Sequence, residues 1–329
     1  MRKIIALMIC TLFLTGSSSA ELVIEQSNTP STGDYLKFEV IGDTFATNMG
    51  KSMFGDDYVG IESFESEIVF EIVGFEILEV DGQKYDCYIE SRSMIFNFTV
   101  IIKEDAYDPQ PDGDRINYSF SFVGKFWKNG TGLITDKLKT ESIDSYIQTW
   151  TEDGEQKSYE GVTEENILHT KTQGVWPDIL EVGTSWTVSE DFAITSTSRS
   201  RANEGEWDVE TSETEESETI DYEVTAESKV TTSLGTFNTL VIKQATQGEG
   251  SGNYTIEYLS SDFFTVKGVI FDNDEPILTM QIEEYSISSL ESQSLEDGDS
   301  ITEGLPNLSF LLSVSSIVLI AIVSRVRMN

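Results

Sequence analysis

Histidine occurs once in this chain of 329 residues, at His169, and cysteine twice, at Cys10 and Cys87. A single histidine excludes metal sites built from histidine pairs and leaves one candidate base for a nucleophilic triad. No Gly-x-Ser-x-Gly elbow accompanies it and no His-Glu-x-x-His helix contains it, so His169 reads as a surface residue. Basic residues are also scarce. The chain holds 21 Lys and Arg against 58 Asp and Glu, for a formal net charge of −37. Phosphate backbones would be repelled, which excludes nucleic acid as a partner. No catalytic constellation emerges, so the chain reads as something other than an enzyme. Carboxylates are too numerous for any pairing to carry meaning. A carbohydrate-active enzyme, the last alternative, would need two of them in a cleft with several of Trp127, Trp150, Trp176, Trp186 and Trp207.

What is present begins at the two ends. Met1-Arg2-Lys3 is followed by an apolar run from Ile4 to Leu14 and by small residues ending Ser18-Ser19-Ala20. That order predicts a signal peptide over residues 1–20. Leu7-Met8-Ile9, ahead of Cys10, lacks the small residue of a lipoprotein cleavage site. At the other end an apolar stretch, Leu308 to Val323, precedes Arg325 and Arg327. From Leu305 to Val323 a helix would run about 28 Å, just enough to cross a bilayer. Residues 305–324 are therefore expected to form a transmembrane helix and 325–329 a cytoplasmic tail, as the positive-inside bias requires. The segment Leu305-Pro306-Asn307-Leu308-Ser309 lacks the Thr and Gly of a sortase signal. The layout of this tail resembles that of archaeal surface proteins, without their full motif. The expected location is the cell membrane, single-pass, with the N-terminus and the ectodomain outside.

The exported part, Glu21 to Gly304, keeps 17 basic residues and all 58 acids, a net charge of −41. Cys87 is then the lone cysteine, so no intrachain disulfide forms. It lies in an apolar strand pattern and reads as a buried, inert thiol. Asn-x-Ser/Thr sequons make Asn97, Asn117, Asn129 and Asn253 candidate glycosylation sites, with Asn307 close to the membrane.

The dominant pattern has period two. Leu36, Phe38 and Val40 alternate with Lys37 and Glu39, Tyr118, Phe120 and Phe122 alternate with Ser119 and Ser121, and Ile68, Phe70 and Ile72 form a third set. These are half-buried strands. Asp81-Gly82, Asp112-Gly113, Asn129-Gly130 and Asp153-Gly154 mark turns between them. Helical periodicity is scarce outside the termini, with a short helical turn expected over Glu164 to His169. An internal repeat accompanies the strands. Gly33-Asp34-Tyr35-Leu36 matches Gly183-Thr184-Ser185-Trp186, Gly82 matches Gly235, and Trp127 followed by Gly132 matches Tyr258 followed by Gly268. The offsets between the glycines are 150, 153 and 136 residues, which predicts two copies of one β-domain.

Val182-Gly183-Thr184-Ser185-Trp186, then Val230 through Gly235-Thr236-Phe237, then Gly268-Val269-Ile270, form the motif pattern of a secreted β-domain. Over Ile179 to Ser286 it resembles the LolA-like lipoprotein-carrier half-barrels and their relatives. The resemblance implies a curved antiparallel sheet whose concave apolar face holds an acyl chain in some members. The membrane tether and the charge depart from a shuttling carrier.

Two segments read as non-core. Residues 203–223 hold ten acids and no Lys or Arg, as an acidic hairpin extension or a disordered insert. Residues 287–304 read as a Ser-rich acidic stalk. Asp105, Asp108, Asp112 and Asp114, with Gly113 in a loop, are the best candidate metal ligands, and Asp272, Asp274 and Glu275 form a second cluster. Calcium is the ion such loops would take, although neither matches an EF-hand and Pro109 and Pro111 suggest an extended connector. No other cofactor is expected.

The expected architecture is thus all-β, with two tandem curved antiparallel sheets, each half-barrel-like. A first domain covers 21–144, a connecting segment 145–178, and a second domain 179–286 with the acidic insert 203–223. The expected role is non-catalytic binding, of a lipid or another apolar small ligand, on a concave sheet face. The alternative is a structural envelope or adhesion component stabilised by calcium. Nothing in the sequence names a protein partner.

Overall fold

The computed structural model describes residues 24–25, 30–103, 115–129, 136–152, 154–174, 177, 179–248, 252–261 and 264–288. The expected signal peptide, transmembrane helix and tail lie outside them, as do Asp105, Asp108, Asp112 and Asp114. In chain order the elements are β1 (Ile24–Glu25), β2 (Tyr35–Val40), helix α1 (Thr44–Phe54), a 3-10 turn (Gly55–Asp57), β3 (Tyr58–Val80), β4 (Gln83–Ile102), β5 (Arg115–Asn129), β6 (Asp136–Glu152) and β7 (Glu155–Gln173). Then come β8 (Ile179–Leu180), β9 (Ser185–Ala202), β10 (Asp208–Thr232), β11 (Gly235–Thr246), β12 (Tyr254–Ser260), β13 (Thr265–Asp272) and β14 (Glu275–Ser286). No helix among the described residues is long and apolar enough to cross a membrane.

The all-β expectation holds, but the two sheets are not separate. Twelve strands form one closed antiparallel barrel in the order β10-β11-β12-β13-β14-β2-β3-β4-β5-β6-β7-β9, and the β9–β10 pairing completes the ring. The last strand of each half pairs with the first strand of the other, β7 with β9 and β14 with β2. Two half-barrels would each leave those strands with open edges, and closure removes them. Two finer expectations are corrected with it. The boundary between 144 and 145 falls inside β6, and residues 145–178 supply the end of β6 and all of β7 rather than a connector. Glu164 to His169 is strand, because β6 and β9 flank it and take its backbone bonds. Of the two alternatives for the acidic segment 203–223, the hairpin extension holds: it is the tip and outgoing arm of the β9–β10 hairpin, held by cross-strand pairs from Asp208↔Ser200 to Glu223↔Ser185.

The internal repeat is visible in the hydrogen bonds. The Gly33 N–H donates to the Ile72 carbonyl and the Ile72 N–H to the Asp34 carbonyl, both at 2.8 Å. The Gly183 N–H donates to Val224 and the Val224 N–H to Thr184, again at 2.8 Å. Both glycines have positive φ, +91° and +94°, a conformation open to glycine at little cost. A β-bulge at Val73 is matched at Thr225, and the two-residue turn after Val80 is matched after Thr232, so both features repeat at 152 residues. Further along, Lys139 lies 4.7 Å over the Trp127 ring and Lys267 lies 5.2 Å over Tyr258. Register thus equates Gly235 with Gln83 and Gly268 with Thr140, correcting two of the glycine matches while keeping Trp127 with Tyr258.

The inward faces build the core. Leu36, Phe38, Ile68, Phe70, Ile72, Tyr118, Phe120 and Phe122, all members of the period-two sets, are buried. Helix α1 lays Phe45, Ala46, Met49 and Gly50, one stripe of its surface, against this face. A second cluster gathers Leu180 from β8 with Trp186, Tyr222, Val224, Leu240 and Leu259.

Candidate functional site

Two features of the inward face stand apart from ordinary core. The first is a continuous row of aromatic rings. From Phe64 on β3 it runs to Phe96 (6.4 Å between centroids), to Phe45 of α1 (4.6 Å) and to Phe98 (6.5 Å). It continues to Phe120 on β5 (5.7 Å), Tyr146 on β6 (6.2 Å) and Tyr159 on β7 (5.6 Å). Tyr118 stacks alongside, 5.4 Å from Phe98. Such ring pairs add about 0.5–1.5 kcal/mol each beyond the area they bury. The row begins under α1 and ends uncovered: Phe96, Phe98 and Phe120 are buried, whereas Tyr146, Tyr159 and the neighbouring Trp150 are half-buried. The Trp150 indole N–H is enclosed and has no acceptor among the described residues. Gly161 keeps the Tyr146 ring in the row, since a Cβ there would stand 2.2 Å from it.

Beyond Tyr159 the same face turns polar. The Thr163 and Ser198 hydroxyls lie 3.1 Å apart, and Ser196 donates to Glu165 at 3.4 Å. One wall is therefore aromatic and the other carries hydroxyls and a carboxylate.

The second feature is a buried charged cluster deeper in the barrel. Glu90 of β4 accepts from Arg92 and, at 2.7 Å, from Lys128 of β5. Burial alone would raise the Glu90 pKa, but the two cations outweigh it and hold it at about 2. Burial lowers Lys128 to about 8 against the pull of Glu90. The Arg92 guanidinium lies 4.4 Å over Phe126. On the strands that follow in the sheet, Glu190 of β9 stands 3.2 Å from His169 Nδ1 of β7 and 3.8 Å from Lys137 of β6, the cross-strand partner of Lys128. Its carboxyl is also held at about 2, with Lys137 and His169 overcoming the penalty of burial. Glu257 of β12 is different. Thr265 donates to one of its oxygens, the other has no partner among the described residues, and burial raises the group to about 8 despite Thr265, Arg92 and Lys128. At neutral pH it is a carboxylic acid. The cluster holds no nucleophile activated by a base, and no grouping of three or more His, Cys, Asp or Glu among the described residues suits a metal ion.

The residues singled out from sequence are dispersed. His169 is buried rather than at the surface, because it lies in the inward phase of β7 and packs 5.8 Å from Phe192. Cys87 is buried, and burial raises its thiol pKa. Asn97 and Asn117 are exposed on adjacent strands, Asn129 ends β5, and the Asn253 side chain accepts the Asn273 N–H at 3.0 Å. Asp272, Asp274 and Glu275 sit at the β13–β14 turn without converging. The charged cluster escaped sequence reading, although a signal was there: Glu90 and Arg92 occupy the even positions of β4 otherwise held by Tyr88, Met94, Phe96 and Phe98. In comparisons with protein-family models, curated proteins and solved structures, nothing matches this chain.

Proposed function

We propose that this chain is a membrane-tethered surface protein, facing outward, that binds a lipid or another apolar ligand without transforming it. One observation carries the reading: the aromatic row that emerges from under α1 and ends half-buried at Tyr146, Trp150 and Tyr159. A ligand laid along those rings would bury their exposed area, worth roughly 25 cal/mol per Å² of apolar surface. An oxygen atom of the ligand would satisfy the Trp150 indole N–H. The resemblance of the second repeat to lipoprotein-carrier half-barrels favours the same class of ligand. The apolar stretch before Arg325 and Arg327 supports tethering. The buried charges hold the barrel in shape and carry no chemistry in this reading.

The test is native mass spectrometry of the whole protein extracted from its own host membrane. An apolar mass that is lost on denaturation, and reduced in a Tyr146→Ser/Trp150→Ser variant, is expected. A bare polypeptide, or one bearing glycans only, would overturn the reading.

A further inference from the structure

The two repeats provide an internal control for a surface at the far end of the barrel. Strand β3 runs past its last contact with β2. Ile72 still exchanges backbone bonds with Gly33 and Asp34, but from Gly74 to Val80 only β4 pairs with β3 among the described residues. Among the described residues the other side of that stretch is an open strand edge. On one of its faces Phe75 and Ile77 are 54% and 63% exposed. The equivalent positions of the second repeat, 152 residues on, are Glu227 and Lys229, both exposed. Charges of that kind are how proteins blunt an open edge. One copy of the hairpin is thus protected, while the other presents large apolar side chains beside backbone groups that no other described strand pairs.

We infer that the edge of β3 from Gly74 to Val80 is a docking site for an extended, basic segment of another protein, added to the sheet as an extra strand. The free backbone groups specify a strand as the occupant, since only an extended chain can meet them in register. Phe75 and Ile77 call for apolar side chains at alternate positions of that segment. The other face and the surroundings set its charge. Glu71, Glu76, Glu79, Asp81 and Asp86 are exposed on this hairpin, against Lys84 alone. A second copy of the chain would set those carboxylates against their own kind, which is destabilising across a strand pair. A segment with Lys or Arg between its apolar residues meets both requirements. Its arrival is favoured by the field of a protein with net charge −37.

Hydrogen exchange on the full-length protein in detergent tests this, with a synthetic peptide alternating valine and lysine as the probe. A control peptide of the same charge has proline in place of the central valines. The first peptide is expected to slow exchange of the edge-facing amides of Gly74–Val80 at least tenfold, and the control to leave them unchanged. The Phe75→Glu/Ile77→Lys variant, which carries the residues of the second repeat, is expected to abolish that protection. Equal effects of the two peptides, or protection elsewhere only, would overturn the proposal by reducing it to charge attraction. Protection that grows with protein concentration alone would overturn it by making a second copy the occupant. Protection seen only with phospholipid vesicles would overturn it by making the occupant a bilayer.

Discussion

Glu257 stands in the second repeat where Phe126 stands in the first: Phe126 is paired with Glu90, and Glu257 with Ile242, 152 residues further on. Glu257, Arg92 and Lys128 share one interior, and the charges on the first repeat face the protonated acid of the second. The barrel is symmetric in its backbone and asymmetric in its charges.

That asymmetry makes stability depend on pH. The Glu257 pKa is raised to about 8 in the folded protein, so its contribution is fully present below its ordinary value near 4.5 and is lost as pH rises through 8. A pKa that differs by one between the folded and unfolded chain corresponds to about 1.4 kcal/mol. Melting temperature is expected to fall between pH 5 and 8 on this account. Glu257→Gln, neutral at every pH, is expected to remove that slope and to melt above the parent at pH 8. Thermal melts of the two proteins across this range check it. Glu90 and Glu190, held at about 2, act in the opposite window, and their contribution is lost as pH falls below 4.5.

The second repeat also suggests how the buried charges can be replaced. Ile242, Gln244 and Leu259 occupy the positions equivalent to Glu90, Arg92 and Lys128. Glu90→Gln alone leaves two buried cations with one partner fewer and is expected to cost about 3–5 kcal/mol. The triple variant Glu90→Ile/Arg92→Gln/Lys128→Leu is expected to recover most of that loss. Urea unfolding of the single and triple variants checks the ordering.

Gly161→Ala tests the aromatic row without touching a ring. Its Cβ would collide with Tyr146, and the ring must leave the row. Loss of the co-purifying apolar mass is expected, with a stability cost of about 1–3 kcal/mol from overpacking. The readouts are native mass spectrometry and a melt on the same preparation.

The sequons differ in access. Asn97 and Asn117 are exposed, although the Asn117 oxygen accepts from the Thr99 hydroxyl, whereas Asn253 is half-buried and its oxygen accepts the Asn273 N–H. Glycopeptide mapping of protein from its own host is expected to find glycan on Asn97 or Asn117 and none on Asn253.

The strands were legible because half-buried strands alternate, and the repeat was legible through Gly33 with Gly183 and Trp127 with Tyr258, which hold equivalent places, whereas the other two glycine matches do not. Closure was not. Alternation reports which face of a strand is buried and is silent about which edges meet. Residues 145–178 looked like a connector because their inward phase mixes Tyr146, Gly161, Thr163, Glu165 and His169, a polar set that matches no apolar alternation. The same mixture concealed the burial of His169. The aromatic row could be suspected from Phe96, Phe98, Tyr118 and Phe120, but its extension through Tyr146 and Tyr159 depends on the register of β5, β6 and β7.

The ring is closed by strands far apart in the chain. The hydroxyl of Tyr35 in β2 donates to Glu284 in β14, 249 positions later. During synthesis the first half therefore waits, with one edge each of β2 and β7 unmatched, until the second half has emerged. Contacts of such long separation make folding slow. The stretch Tyr35–Val40 remains available to the wrong strand for all of that time, and a chaperone would have most to protect there.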